Sequence, residues 1–230
     1  MPSPARKLII AIDGPSGAGK GTIARALAGR LEYRHVDTGA MYRAVAWKAL
    51  SEGLDLQDEV TVASVSDRAR FDLDAGRVVI DGVDVSTAIR TPAIDKGAAA
   101  VARHPAVRRA LVTRQREMGR GGGVVMEGRD IGTVVFPDAD LKIFLDASPE
   151  ERARRRAADP AHSAAGSSAL VDVATALAER DHSDATRTAS PLAMAPDAVH
   201  IETTGVPIGS VVDQVMAIVE SFIAEKNGRV

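Results

Sequence analysis

The 230-residue sequence predicts an α/β fold in which a five-stranded parallel sheet carries helices on both faces. Three observations lead there. Short apolar runs recur along the chain with helical segments between them. The first run feeds a glycine-rich loop with a lysine that opens a helix, and two stretches of different composition interrupt the rhythm where insertions fit.

The first strand is the apolar run Leu8-Ile9-Ile10-Ala11-Ile12, and the segment Ile23-Ala24-Arg25-Ala26-Leu27-Ala28 is the helix after it. Between them stand Gly14, Pro15, Ser16, Gly17, Ala18, Gly19, Lys20, Gly21 and Thr22. Strand, glycine loop with lysine, then helix is the arrangement of a P-loop. Backbone N–H groups turn inward around a β-phosphate, the helix start adds partial positive charge, and the lysine reaches the β- and γ-phosphates. Gly21 follows the lysine, so the hydroxyl that usually ligates Mg²⁺ is displaced to Thr22. That spacing resembles nucleoside monophosphate kinases, and it leaves Mg²⁺ to phosphates, water and carboxylates such as Asp13.

Tyr33-Arg34-His35-Val36 is the second strand, and Asp37-Thr38-Gly39-Ala40-Met41-Tyr42-Arg43 opens the next helix. Asp37 and Thr38 fit an N-cap as well as a site, whereas Arg43, at the ligand edge of the sheet, is placed to grip a second phosphate. From about residue 60 to 95 the pattern around Phe71 to Val85 alternates about Asp-Ala-Gly and Asp-Gly turns, which predicts a small antiparallel meander. One long amphipathic helix is expected over Ile94 to Met118.

Val124-Val125-Met126 is the third strand; Glu127-Gly128-Arg129-Asp130 follows it and puts a carboxylate, Glu127, where P-loop proteins hold acid near Mg²⁺. Leu141 to Leu145 is the fourth strand. Ser148 and Pro149 then start a helix whose arginines Arg152, Arg154, Arg155 and Arg156 project toward the small, polar stretch Ala157 to Ser168, expected to be part of a mobile lid. Arg180 to Arg187 brings two more arginines and two aspartates, Ala198 to Ile201 is the fifth strand, and Ile208 to Ala224 is a covering helix.

Composition narrows the reading. A net charge of −2 argues against a general nucleic-acid surface, and seven aromatic residues offer little base stacking. No apolar run approaches the roughly 18 residues of a membrane span, and Met1 to Lys7 lead into the first strand without a signal-peptide core, so a soluble cytoplasmic protein is expected. The absence of cysteine excludes disulfides and thiolate metal sites. Arginine outnumbers lysine 23 to six, which fits phosphate binding or a GC-rich genome equally well, so position must decide each case.

The strings Ile-Asp-Gly-Pro-Ser-Gly-Ala-Gly-Lys-Gly-Thr from Ile12, Asp-Thr-Gly-Ala-Met-Tyr-Arg from Asp37, Gly-Arg-Asp-Ile-Gly-Thr-Val-Val-Phe-Pro-Asp-Ala from Gly128 and Lys-Ile-Phe-Leu-Asp-Ala-Ser from Lys142 closely resemble bacterial cytidylate kinases over nearly the whole chain. The resemblance implies one P-loop domain over about 6–226, with a nucleoside monophosphate-binding insertion at about 60–120 and a lid at about 150–188. It implies transfer of the γ-phosphoryl group of ATP to CMP or dCMP with Mg²⁺; separately, a monomer is expected, without nucleic-acid or membrane partners. Carried over by position, it puts Gly14 to Thr22 with Arg155 on ATP, and Thr38, Tyr42 and Arg43 on the CMP side. Arg108 and Asp130 fall on cytosine, Arg129 and Arg180 on the phosphoryl groups, and Asp184 with Arg187 on the sugar. Lys20, Arg129, Arg180 and Arg187 would then neutralise the charge of the transferred group. Ala99 stands where the family has a serine near the base, which makes UMP the rival acceptor. A nucleotide switch that binds without transfer is the alternative of another class, and the guanine motif Asn-Lys-x-Asp that would favour it does not occur.

Overall fold

A computed structural model of the chain describes residues 7–74, 76–159 and 170–227. Its main sheet contains β1 (Ile9–Asp13), β2 (Arg34–Asp37), β6 (Val124–Glu127), β7 (Leu141–Asp146) and β8 (Val199–Glu202), in the order β2-β6-β1-β7-β8. Every pairing is parallel, as predicted. β1 lies centrally, and its residues alternate between the two faces. Ile10 and Ile12 pack with Ile23, Leu27, Ile143 and Val215, under α1 (Lys20–Leu31) and α8 (Ile208–Asn227). Ala11 packs on the opposite face with Met41, Val45, Leu111 and Met126, under α2 (Thr38–Ser51) and α5 (Pro105–Gly119). Each fully buried Ile, Leu or Met contributes about 1.5–3 kcal/mol, so the two clusters fix the sheet that carries the loops.

Phe71–Asp74, Arg77–Ile80 and Val83–Asp84 form the expected antiparallel sheet β3-β4-β5. The stretch assigned to that meander begins instead with α3 (Glu59–Arg68), whose N-cap Asp58 accepts hydrogen bonds from the Val60 and Thr61 amides. The single helix expected from Ile94 to Met118 is two, α4 (Pro92–Val101) and α5. Pro105 has no N–H to donate and disfavours helical backbone at His104, which adopts φ −76° and ψ 115°.

Sequence periodicity also gave no sign of a π-helix at Ile131–Val135, where the Phe136 amide donates to the Ile131 carbonyl over 2.7 Å. α6 (Pro149–Ala157) starts as expected: the Ser148 hydroxyl accepts from the Glu151 amide at 3.2 Å. α7 (Leu170–Thr186) follows. The lid expected at Ala157 to Ser168 falls mostly on residues 160–169, outside the described residues.

Candidate functional site

The loops at the carboxyl ends of β1, β2, β6 and β7 meet at a cleft of about 970 Å³. Its walls carry eleven basic and six acidic side chains among the described residues, a cationic excess in a chain of net charge −2.

The loop after β1 takes its shape from glycine. Gly14 has φ +145°, and a Cβ there would stand 2.0 Å from the Leu145 carbonyl oxygen, so no other residue fits. Gly17 has φ +82° and lies against Arg152, whose Cβ would be 2.9 Å from an added methyl. Ser16, Gly17, Gly19, Lys20, Gly21 and Thr22 line the cleft; Gly14, Pro15 and Ala18 shape the loop from behind. The Lys20 ammonium donates to the Pro15 carbonyl at 2.6 Å. Burial, then the charge of Arg129, lowers its pKa to about 7.

The arginines expected from the sequence converge on this cleft. Arg43 pairs with Asp37 at 2.8 Å, and the same aspartate caps α2 by accepting from the Ala40 amide. Arg129 pairs with Asp184 at 2.9 Å rather than with its neighbour Asp130. Burial would raise the Asp184 pKa, but Arg129, Arg180 and Arg187 outweigh it and hold the carboxyl below its usual range. Arg180, from α7, is lowered to about 10 by burial and then by Arg129. Arg187 reaches Asp184 at 3.3 Å and Asp130 at 3.8 Å. Arg155 donates to the Thr203 hydroxyl at 2.9 Å and to the Thr203 carbonyl at 2.6 Å.

At the other end of the cleft Arg108 pairs with Asp130 and lies over the Tyr42 ring, its guanidinium carbon 5.4 Å from the ring centroid. Burial pushes the Tyr42 hydroxyl up to about 12, so it stays protonated. The Thr38 hydroxyl donates to the Glu127 carbonyl at 2.7 Å, so Asp37 and not Thr38 is the cap. Ala98, Ala99 and Ala102 wall this end.

Several contributors were not expected at this site, among them Arg152 and Arg156, which the sequence aims at the lid. Arg152 donates to the Ser16 carbonyl at 3.2 Å and pairs with Asp181, whose other oxygen accepts from the Ser16 amide at 3.4 Å, so the phosphate loop is clasped on both sides. Arg90, Arg156 and the segment Thr203, Gly205, Val206, Pro207 and Ile208 also line the cleft. Only the folded topology brings them there.

The side chains fit an Mg²⁺ ion carried on nucleotide phosphates. Among the described residues no group of three or more His, Asp or Glu side chains is arranged to hold a metal. Glu127 faces the loop, with Oε1 3.1 Å from where a Gly21 Cβ would be, and Thr22 supplies a hydroxyl. Mg²⁺ keeps several waters and takes one or two carboxylates beside phosphate oxygens, which suits so sparse a donor set. Asp13, considered above as a ligand, is turned elsewhere. Its oxygens accept from the Ile131 and Gly132 amides at 2.8 and 2.7 Å, it does not line the cleft, and burial raises its pKa to about 6.

The family model for cytidylate kinase matches residues 10–221. The chain belongs to the cytidylate kinase family. A cytidylate kinase of Solibacter usitatus is 47% identical over 230 residues, covering 97% of this chain and 96% of the relative. One from Pelotomaculum thermopropionicum is 50% identical over 223 residues, covering 92% and 96%. A bifunctional pantoate ligase/cytidylate kinase of Synechococcus is 44% identical, and there the match covers 96% of this chain but 47% of the relative. Among solved structures, a shikimate kinase from Bacteroides thetaiotaomicron matches with a TM-score of 0.51 at 13% identity, covering 93% of this chain and 98% of that one. An uncharacterized protein from Eubacterium ventriosum matches at 0.53 and 10%, covering 94% and 99%. At such identities the likeness shows the fold alone. Among the described residues no helix is long and apolar enough to cross a membrane.

Proposed function

We propose that this chain transfers the γ-phosphoryl group of ATP to CMP and dCMP, giving ADP and CDP or dCDP. The observation that carries the reading is the convergence of Arg43, Arg129, Arg180 and Arg187, from separate segments, on one cleft with the Lys20 loop. Two phosphate groups must meet there, and they need neutralised charge more than covalent help.

In this reading Ser16 to Thr22, Lys20 and Arg155 hold the donor phosphates, with the segment around Val206 and Ile208 on the donor side. Arg43 and Arg129 hold the acceptor phosphate, Asp184 and Arg187 the sugar, and Arg108, Asp130, Tyr42 and Thr38 frame the base. Lys20, Arg129, Arg180 and Arg187 spread their charge over the transferred group in the transition state. No general base is needed, because the attacking oxygen of CMP is already ionised. Bound Mg²⁺ would supply charge neutralisation at the donor phosphates, next to Glu127 and Thr22. The insertion at about 60–120 and the lid at about 150–188 would close over the nucleotides and exclude water. One chain supplies every group invoked, so we propose a monomer working in the cytoplasm, where both nucleotides are found.

The test is an acceptor panel of CMP, dCMP, UMP and AMP with ATP and Mg²⁺, followed by coupled detection of ADP. Turnover of CMP and dCMP at least ~10-fold above the others is expected, a margin that one or two base-specific hydrogen bonds supply. Preferential turnover of UMP would replace the acceptor in this reading. ATP binding without turnover of any acceptor would favour a nucleotide switch.

A further inference from the structure

Asp95, in the first turn of α4, joins two guanidinium groups that come from elsewhere in the chain. Its Oδ2 pairs with Nη2 of Arg156, near the end of α6, and its Oδ1 with Nη1 of Arg180, on α7, at 3.3 Å. The three side chains are 12%, 21% and 18% exposed, so the ion pairs are largely shielded from water. Arg156 and Arg180 line the cleft, whereas Asp95 does not. The carboxylate therefore engages one Nη of each guanidinium from a position that does not itself line the cleft, and each guanidinium has further N–H donors.

Like charge at the cleft favours such a counter-ion. Arg180 feels Arg129 and Arg43, and Lys20 feels Arg129 and Arg180. Asp184 offsets part of the repulsion and desolvation at Arg180, and Asp159 part at Arg156, but Asp95 is a carboxylate that pairs with both guanidinium groups, so without it both would be held less firmly against the cleft. The same helix reaches the acceptor end of the cleft. Ala98 and Ala99 stand three and four residues beyond Asp95, on the same face of α4, and with Ala102, which caps the helix, they wall the cleft beside Arg108.

We propose that Asp95 is a positioning residue for phosphoryl transfer. It fixes Arg156 and Arg180 against the cleft and ties them to the helix that walls the acceptor base. This rests on the transfer reading above. Asp95 does not reach the cleft, so its loss should misplace the charges that act in the transition state and leave ground-state binding intact. With one negative charge fewer behind the arginines, nucleotide KM values should stay level or fall.

The experiment measures kcat and both KM values for wild type, Asp95→Asn, Asp95→Ala, Arg180→Ala and Asp95→Asn with Arg180→Ala, using ATP, Mg²⁺ and CMP, or UMP if wild type prefers it. Thermal midpoints accompany each variant. Asp95→Asn keeps the volume and an acceptor oxygen, so it decides the question even if Asp95→Ala fails to fold. The expected result is a kcat loss of ~10-fold or more in Asp95→Asn with neither KM raised, shrinking to under ~3-fold when Arg180 is already alanine, as a coupled pair requires. Three results would overturn the proposal: kcat within twofold of wild type in Asp95→Asn, a loss confined to a raised KM, or an undiminished loss in the Arg180→Ala background. A wild-type chain that turns over neither acceptor would sink the transfer reading and this proposal together, whereas an active wild type with any of those three results sinks the role of Asp95 alone.

Discussion

Arg108 and Asp130 form an ion pair whose side chains are 4% and 7% exposed, at the end of the cleft walled by alanines. Breaking a buried pair leaves a charge without its partner, which costs about 3–5 kcal/mol. Arg187 at 3.8 Å from Asp130 offsets part of that cost when Arg108 is removed. Asp130→Ala is expected to raise KM for CMP by at least ~10-fold and KM for ATP by less than ~3-fold in steady-state kinetics, the scale of one lost charged hydrogen bond. A rise confined to ATP would move this pair to the donor side.

Lys20→Ala should lower kcat by at least ~10²-fold, the usual cost of one preorganised donor aimed at developing charge. Circular dichroism should show the fold retained, because among the described residues the ammonium donates to the Pro15 carbonyl of its own loop. Near-normal turnover would discard the assignment.

Burial and Arg129 hold the Lys20 pKa at about 7 in the ligand-free protein, so most Lys20 side chains are neutral at about pH 8. Triphosphate oxygens favour the ammonium form, so binding must raise the pKa and draw in a proton. ATP affinity should therefore fall as pH rises through 7. Calorimetry with Mg-ATP at about pH 8, in two buffers of different ionisation enthalpy, should register proton uptake of up to about one per site, and Lys20→Met should abolish it.

Ala99 lines the cleft where the resemblance leads one to expect a hydroxyl. Ala99→Ser is expected to raise the ratio of kcat/KM for CMP over UMP by ~5- to 10-fold, the value of one neutral hydrogen bond. Competition assays with both acceptors present would read that ratio directly, and an unchanged value would free this position from base recognition.

The parallel sheet and the phosphate loop were legible because each rests on local pattern: apolar runs for β1, β6 and β7, and glycines followed by Lys20 for the loop. The arginines could be named from resemblance, but their partners could not. Arg129 and Asp130 adjoin in sequence yet turn to Asp184 and Arg108, because Glu127 to Asp130 leaves β6 toward the cleft and neighbouring side chains point apart. The bonds that Asp13 accepts from the Ile131 and Gly132 amides were hidden for a similar reason, since the π-helix that carries those amides has no periodic signature. Amphipathic spacing continues across the break between α4 and α5, so periodicity alone joins the two helices. Pro105 is the local signal of the break.

The hold of Arg152 and Asp181 on Ser16 bears on protein engineering. A segment cut out as β1, its loop and α1 alone would leave those two side chains behind, along with the Arg152 backbone against which Gly17 rests. A designer grafting this nucleotide-gripping element onto a new scaffold would have to transplant the base of α6 and the middle of α7 as well.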